Sequence, residues 1–244
     1  MVFSTSKDLR YSACRVLRQN GIPCVVWCED ALGYYGMNTT LFSLNLVVAS
    51  VDEAADVLLQ HGGWTALTSS QRPKEVGVPW LDMPEGAMRR LLPPDWVENP
   101  VRSWPPPPPS QMVPRQPELV LHAAGFWQVP LDLLASQAQT QEDDNNYIPP
   151  LATLADSLIT AYLDSRDGTS LQMYLMLYVS ALYSQIEGTR EPGFAEGLRS
   201  ENRHFHRDAV SGRTVAGLPA LTRQREIRKR LRETEGEGVV EDST

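Results

Sequence analysis

The chain has no apolar run long enough to cross a bilayer. The longest candidate, MYLMLYVSALY at residues 173–183, is bracketed by polar Gln172 and Ser184. It falls well short of the ~20 residues a membrane helix requires, so a buried core helix is expected and membrane insertion is not. Residues 1–10, MVFSTSKDLR, lack the apolar stretch of a secretory signal, and a cytoplasmic location is expected. Cysteine is scarce: Cys14, Cys24 and Cys28 are the only three. Three thiols cannot all pair, and free, buried thiols are the ordinary state in a reducing compartment. There is no second Cys/His pair at zinc-finger spacing, so no metal site is expected. Internal repeats are also missing.

What is present is ordinary globular material. The 244 residues are 42% hydrophobic and 21% charged, enough to bury a sizeable core. The net charge of −8 is unevenly spread. Residues 199–232 carry ten Arg and Lys side chains against Glu201, Asp208 and Glu226, while Glu233 to Thr244 holds five acids and no base. The basic stretch from Arg223 to Arg232 has no stacking aromatics interleaved, which argues against nucleic acid as a partner. A solvated terminal helix followed by a disordered acidic tail, 233–244, is the expectation.

The first eighty residues alternate helix and strand. Leu9, Ala13, Val16 and Leu17 recur at helical spacing up to Asn20-Gly21. IPCVVW (22–27) reads as a buried strand, EDALGYY as a short helix closed by Gly36, and LFSLNLVVA (41–49) as a second strand with Leu44, Leu46 and Val48 on one face. Ser50 and Glu53 make a capping box for a helix that Gly62-Gly63 ends. Residues 93–117 are proline-rich, with five consecutive prolines at 105–109. Proline lacks the amide donor that helices and sheet interiors need, so this segment is read as a surface excursion. A scaffold role, with the run docking into another module, is open. ELVLHAAGFW (118–127) reads as a third strand, followed by a short helix in LDLLASQ (131–137). Beyond Pro149-Pro150 the pattern is helical: stripes at Leu151, Leu154, Leu158, Tyr162, then Leu171, Leu175, Tyr178, Leu182, then a helix through Phe194, Leu198, Phe205 and Ala209, and a last basic one.

The segment VVWCEDALGYYGMNTTLFSLNLVV, residues 25–48, resembles the opening of a minimal nucleotidyltransferase domain. In antibiotic nucleotidyltransferases and their antitoxin-type relatives, a strand ends in two small residues, a helix follows, and a Gly leads into a strand bearing Asp-x-Asp. Trp27-Cys28 stand near the small pair, Ala31-Leu32 and Gly36 match the helix and its end, and Ser43 and Asn45 fall on the Asp-x-Asp positions. GFAEGLRSENRHFHRDAVSG, residues 193–212, is similar to a group of fungal proteins with a degenerate form of this fold. The resemblance implies an α+β fold: a nucleotidyltransferase-like mixed sheet with flanking helices over residues 1–127, then a helical region over 128–232.

The departures from that pattern set the functional expectation. Nucleotidyl transfer uses divalent metals held by carboxylates. Ser43 and Asn45 are neutral, and the third strand offers only Glu118 at its edge. A catalytically inactive protein that binds a partner or a nucleotide is therefore expected, with no catalytic residue and no cofactor. The alternative is a divergent transferase that recruits Glu29 and Asp30, and with them magnesium and nucleotide. Acids in a first helical turn are favoured by the helix dipole in any case. Arg199, Arg203 and Arg207 align at i, i+4 and i+8 as candidate anion ligands, or as partners for acids of the first domain. His204 and His206 are two apart and diverge on a helix, so they do not form a metal pair.

Overall fold

The computed structural model describes residues 7–39, 41, 43–67, 83–94, 116–130, 148–213, 215 and 217–237. The chain divides into two compact units. One comprises Met1–Tyr34, Asn38–Val76 and Met83–Pro149; the other comprises Tyr35–Met37, Gly77–Asp82 and Pro150–Thr244. The central prolines 95–115, the LDLLASQ segment and residues 238–244 lie outside the described residues. Among the described residues no helix is long and apolar enough to cross a membrane.

The first unit is α+β with a five-stranded mixed sheet. Helices α1 (Lys7–Arg10) and α2 (Ser12–Gln19) lead into β1 (Cys24–Trp27), followed at once by α3 (Cys28–Tyr34). Strand β2 (Leu44–Val48) and α4 (Val51–His61) come next, then β3 (Thr65–Ala66), β4 (Met88–Leu92), β5 (Leu119–Ala123) and α5 (Ala124–Trp127). The strand order is β1-β2-β5-β4-β3. Strand β2 runs antiparallel to β1 and parallel to β5, and β4 is antiparallel to both β5 and β3.

The register explains the core. Val26 lies opposite Leu46, and Leu46 opposite Leu121. This row, with Leu44, Val48 and Leu119, packs with Ala13, Cys14 and Leu17 of α2 and Ala54, Ala55 and Leu58 of α4. Burying each large aliphatic side chain stabilises the fold by about 1.5–3 kcal/mol. The Ser50 hydroxyl accepts from the Glu53 amide at 3.3 Å, which fixes the start of α4. The opposite sheet face carries Trp27, Asn45, Val47, Val120 and His122, also buried. That second face holds the candidate site.

One expectation is corrected in this unit, and one strand pair was missed. The third strand stops at Ala123, and AGFW forms a helical turn instead of continuing it. Turning there brings Trp127 back to within 5.6 Å of Trp27, ring centroid to centroid. The pair β3–β4 was not legible as strands, since MRRLL buries little beyond Leu91 and Leu92.

The second unit is helical. Helix α6 (Leu151–Asp164) and α7 (Ser170–Gln185) are joined by a turn in which Gly168 has φ +75°. Thr169 caps α7 by accepting from the Gln172 amide at 3.1 Å. Single 3-10 turns at Glu187–Arg190 and Phe194–Gly197 precede α8 (Ser200–Val210) and α9 (Leu218–Glu237). The one helix expected across Phe194 to Ala209 is thus divided. Leu198 is extended, with φ −95° and ψ 148°, and a new helix starts after Arg199. Gly197 is needed for close approach, because a Cβ there would lie 2.6 Å from that of Ala152. Helix α9 continues to Glu237, into the segment that reads as an acidic tail.

Candidate functional site

The site grows from the junction of β1 and α3. Because α3 follows β1 with no intervening loop, Cys28 turns the chain with φ +52°, an uncommon backbone for a residue with a Cβ. The Cys28 thiol is fully buried, and burial pushes its pKa well up. It is therefore a packing group and not a reactive thiolate. The tight turn places Glu29 and Asp30 beside the start of β2.

Asp30 is committed to an internal ion pair. Arg10 Nε donates to one carboxylate oxygen at 2.5 Å and Arg10 Nη2 to the other at 2.6 Å. Tyr11 Oη adds a hydrogen bond at 3.2 Å. The Asp30 side chain is 0% exposed and that of Arg10 is 8%. Burial opposes the charge on Arg10, yet contact with Asp30 outweighs it and raises the guanidinium pKa. Burial, with Asp30 beside it, also pushes the Tyr11 hydroxyl pKa up. Arg10 donates further to the Ser43 carbonyl at 3.2 Å, so Ser43 takes part through its backbone.

Asn45, on β2, is the middle of a polar relay. Its Nδ2 donates to Glu29 Oε2 at 3.1 Å. The amide oxygen is then the atom facing His122 Nε2 at 3.0 Å, which makes that ring nitrogen the donor. His122 is fully buried, and desolvation lowers its pKa to about 3, so it is neutral at pH 7. Trp127 meets the His122 ring edge-on at 5.8 Å, and Trp27 is as deeply buried. The two indoles thus pack this end of the sheet closed.

The remaining nearby acids are also paired. Arg90 holds Glu118 with Nε on one oxygen and Nη2 on the other, the latter at 2.9 Å. Arg89 meets Asp52 at 2.8 Å on the surface. Among the described residues no group of three or more His, Cys, Asp or Glu could hold a metal ion. Chemically, the arrangement sets the neutral Asn45 amide and His122 imidazole in line with the Glu29 carboxylate.

The arginine row begins at the N-terminus of α8. Arg199 Nε donates to Asp156 Oδ2 and Nη2 to Thr160 Oγ1, both at 2.5 Å. Its amide also donates to Asp156 Oδ1 at 2.9 Å. Arg203 reaches the carbonyls of Leu198 at 3.1 Å and Glu196 at 3.3 Å. Arg207 is exposed, with no partner seen among the described residues. The Asp156 pairing lies inside the helical unit itself and not with an acid of the first.

The basic terminal helix is not free in solvent, contrary to expectation. Arg228, 4% exposed, bridges Asp164 and Glu201, each at 2.9 Å. Arg232 meets Glu201 at 2.6 Å, and Arg225 pairs with Asp167 at 2.7 Å while donating to the Leu163 carbonyl at 2.6 Å. The acids that counter this helix come from α6, α8 and the α6–α7 turn. Sequence distance hid them.

Arg10 and His122 were missed as site residues, although each left a trace. Arg10, Ala13, Cys14 and Leu17 are spaced i, i+3, i+4, i+7, which places a cation on the buried face of the first helical segment. His122 is a lone polar residue in the apolar run LVLHAA. Compared with known proteins, the chain matches no family model and no curated protein.

Proposed function

We propose that the N-terminal unit is a catalytically inactive nucleotidyltransferase-like module and that the protein acts by binding a partner or a nucleotide. The observation that carries this reading is the closed relay from His122 through Asn45 to Glu29. A side chain that is neutral and already hydrogen-bonded on both sides is a poor substitute for a metal-binding carboxylate. The order helix, strand, helix, strand, with β2 between β1 and β5, supports the resemblance on which the reading rests. So does the position of Ser43 and Asn45 at the mouth of β2.

The test uses the full chain with labelled nucleoside triphosphates, with and without magnesium. No transfer of label to protein, RNA or small acceptors is expected, and any nucleotide affinity should be unchanged by chelating the metal. Magnesium-dependent transfer that disappears in Glu29→Gln would overturn the reading in favour of a transferase using relocated acids. Absence of nucleotide affinity would assign the binding role to a protein partner, with the proline run as the first segment to delete.

A further inference from the structure

Asp208 lies in the last turn of α8, and its side chain is 2% exposed. The chain folds back immediately after it. Ser211 Oγ and the Arg213 amide both bond the Asp208 carbonyl, at 2.9 and 3.0 Å, and Gly212 supplies the turn with φ +78°. This brings Arg213 Nη1 to 3.1 Å from Asp208 Oδ1. From α9, Arg223 Nη2 reaches the other oxygen at 2.9 Å and Gln224 Nε2 reaches the same atom at 2.8 Å. His204 Nδ1 stands 3.8 Å from that oxygen and 3.3 Å from Gln224 Oε1.

The charge balance at this cluster differs from that of the other Arg–carboxylate contacts among the described residues. Arg10, Arg89, Arg90, Arg199 and Arg225 each meet a carboxylate of their own, and Arg228 and Arg232 share two, Asp164 and Glu201. At Asp208 one buried carboxylate faces two guanidinium groups, a surplus of one positive charge before His204 is counted. Each guanidinium has five N–H donors, and Asp208 takes one from each. No other acceptor for Arg213 or Arg223 is seen among the described residues. Both side chains turn outward, 66% and 47% exposed.

We propose that Arg213 and Arg223, each held on one oxygen of Asp208, form a binding site for a single phosphate group. Guanidinium forks match phosphate oxygens in pairs, and the buried carboxylate removes much of the entropy cost of ordering them. The site takes one tetrahedral anion, either free phosphate or the phosphoryl group of a small organic ester. It is distinct from the row Arg199, Arg203, Arg207, and it does not depend on the reading of the N-terminal unit.

Calorimetric titration of the full chain at low ionic strength, with inorganic phosphate and separately with a nucleoside monophosphate, tests this. Saturable binding is expected, weakened at least tenfold by Arg213→Gln and by Arg223→Gln and unchanged by Lys229→Gln. Lys229 is the control because it removes the same charge from α9 at a side chain 78% exposed. Equal affinity for the two probes would identify phosphate as the recognised group, and tighter binding of the ester would identify an organic phosphate. No saturable binding of either probe overturns the proposal. So does equal weakening by Lys229→Gln, which would reveal diffuse charge attraction only. Should Arg223→Gln lower the melting temperature, the more exposed Arg213→Gln carries the comparison.

Discussion

Arg10 and Asp30 meet through two parallel hydrogen bonds, at 2.5 and 2.6 Å, with both side chains buried. The pair ties the N-terminal helices to the first turn of α3 and, through the Ser43 carbonyl, to the mouth of β2. One of the two acids that sequence reasoning offered as a relocated metal ligand is thereby consumed in holding the fold.

Replacing Arg10 with Ala leaves a carboxylate buried without its cation. Removing one partner of a buried ion pair costs about 3–5 kcal/mol, whereas replacing both with apolar groups can be close to neutral. Arg10→Ala should therefore lower the urea midpoint strongly, and Arg10→Met combined with Asp30→Leu should recover most of the loss. Additive losses in the double variant would contradict this.

His122 predicts an acid sensitivity that an unperturbed surface histidine would not produce. Its folded pKa, about 3, lies below the ordinary 6.5 because burial disfavours the charged ring. Between those values the unfolded chain binds a proton that the folded one does not, so stability falls as pH falls. From pH 6.5 to 4.5 the loss from this group alone is roughly 2–3 kcal/mol. His122→Gln keeps a donor for Asn45 and removes the titration. Urea unfolding at the two pH values should show a smaller drop in the variant, and an equal drop would refute the assignment.

Local signals carried much of the first unit: the Ser50 cap and the even positions Leu44, Leu46 and Val48 were legible. What escaped depended on partners distant in sequence. Nothing near Arg10 names Asp30, and nothing in MRRLL reveals that Leu91 pairs with Leu119. The basic run 223–232 looked solvated because its counter-charges, Asp164 and Glu201, lie on α6 and α8. Ser43 and Asn45 were singled out in the sequence through a family resemblance alone, while the relay through His122 required the parallel pairing of β2 with β5.

The arginine row should divide by mutation. Arg199 leaves Asp156, 12% exposed, without its guanidinium when removed, while Arg203 loses only hydrogen bonds to two carbonyls. Arg199→Ala should cost roughly 2–3 kcal/mol and Arg203→Ala about 1 kcal/mol or less. Thermal unfolding of the two variants side by side checks the order, and a larger loss in Arg203→Ala would reverse the assignment of Arg199 as the anchor of α8.

The anchoring of α9 rests on Glu201, which accepts from Arg228 at 3.0 Å and from Arg232 at 2.6 Å. Its hydrogen bond from Arg232 is the main cause that lowers its pKa from 4.5 to about 2, with Arg228 adding to it against the cost of burial. A folded pKa below the unfolded one means stability that is fully present above pH 4.5 and lost as pH falls toward 2. Arg232 is half-exposed, so solvent screening reduces the effect to about 1–2 kcal/mol. Glu201→Gln should remove that contribution at neutral pH and free the outer part of the helix. Hydrogen exchange should then quicken at amides 225–232 while those of α6 stay protected. Unchanged exchange along α9 would mean that Asp164 and Asp208 hold the helix without Glu201, since Arg228 reaches Asp164 and Arg223 reaches Asp208 independently of it.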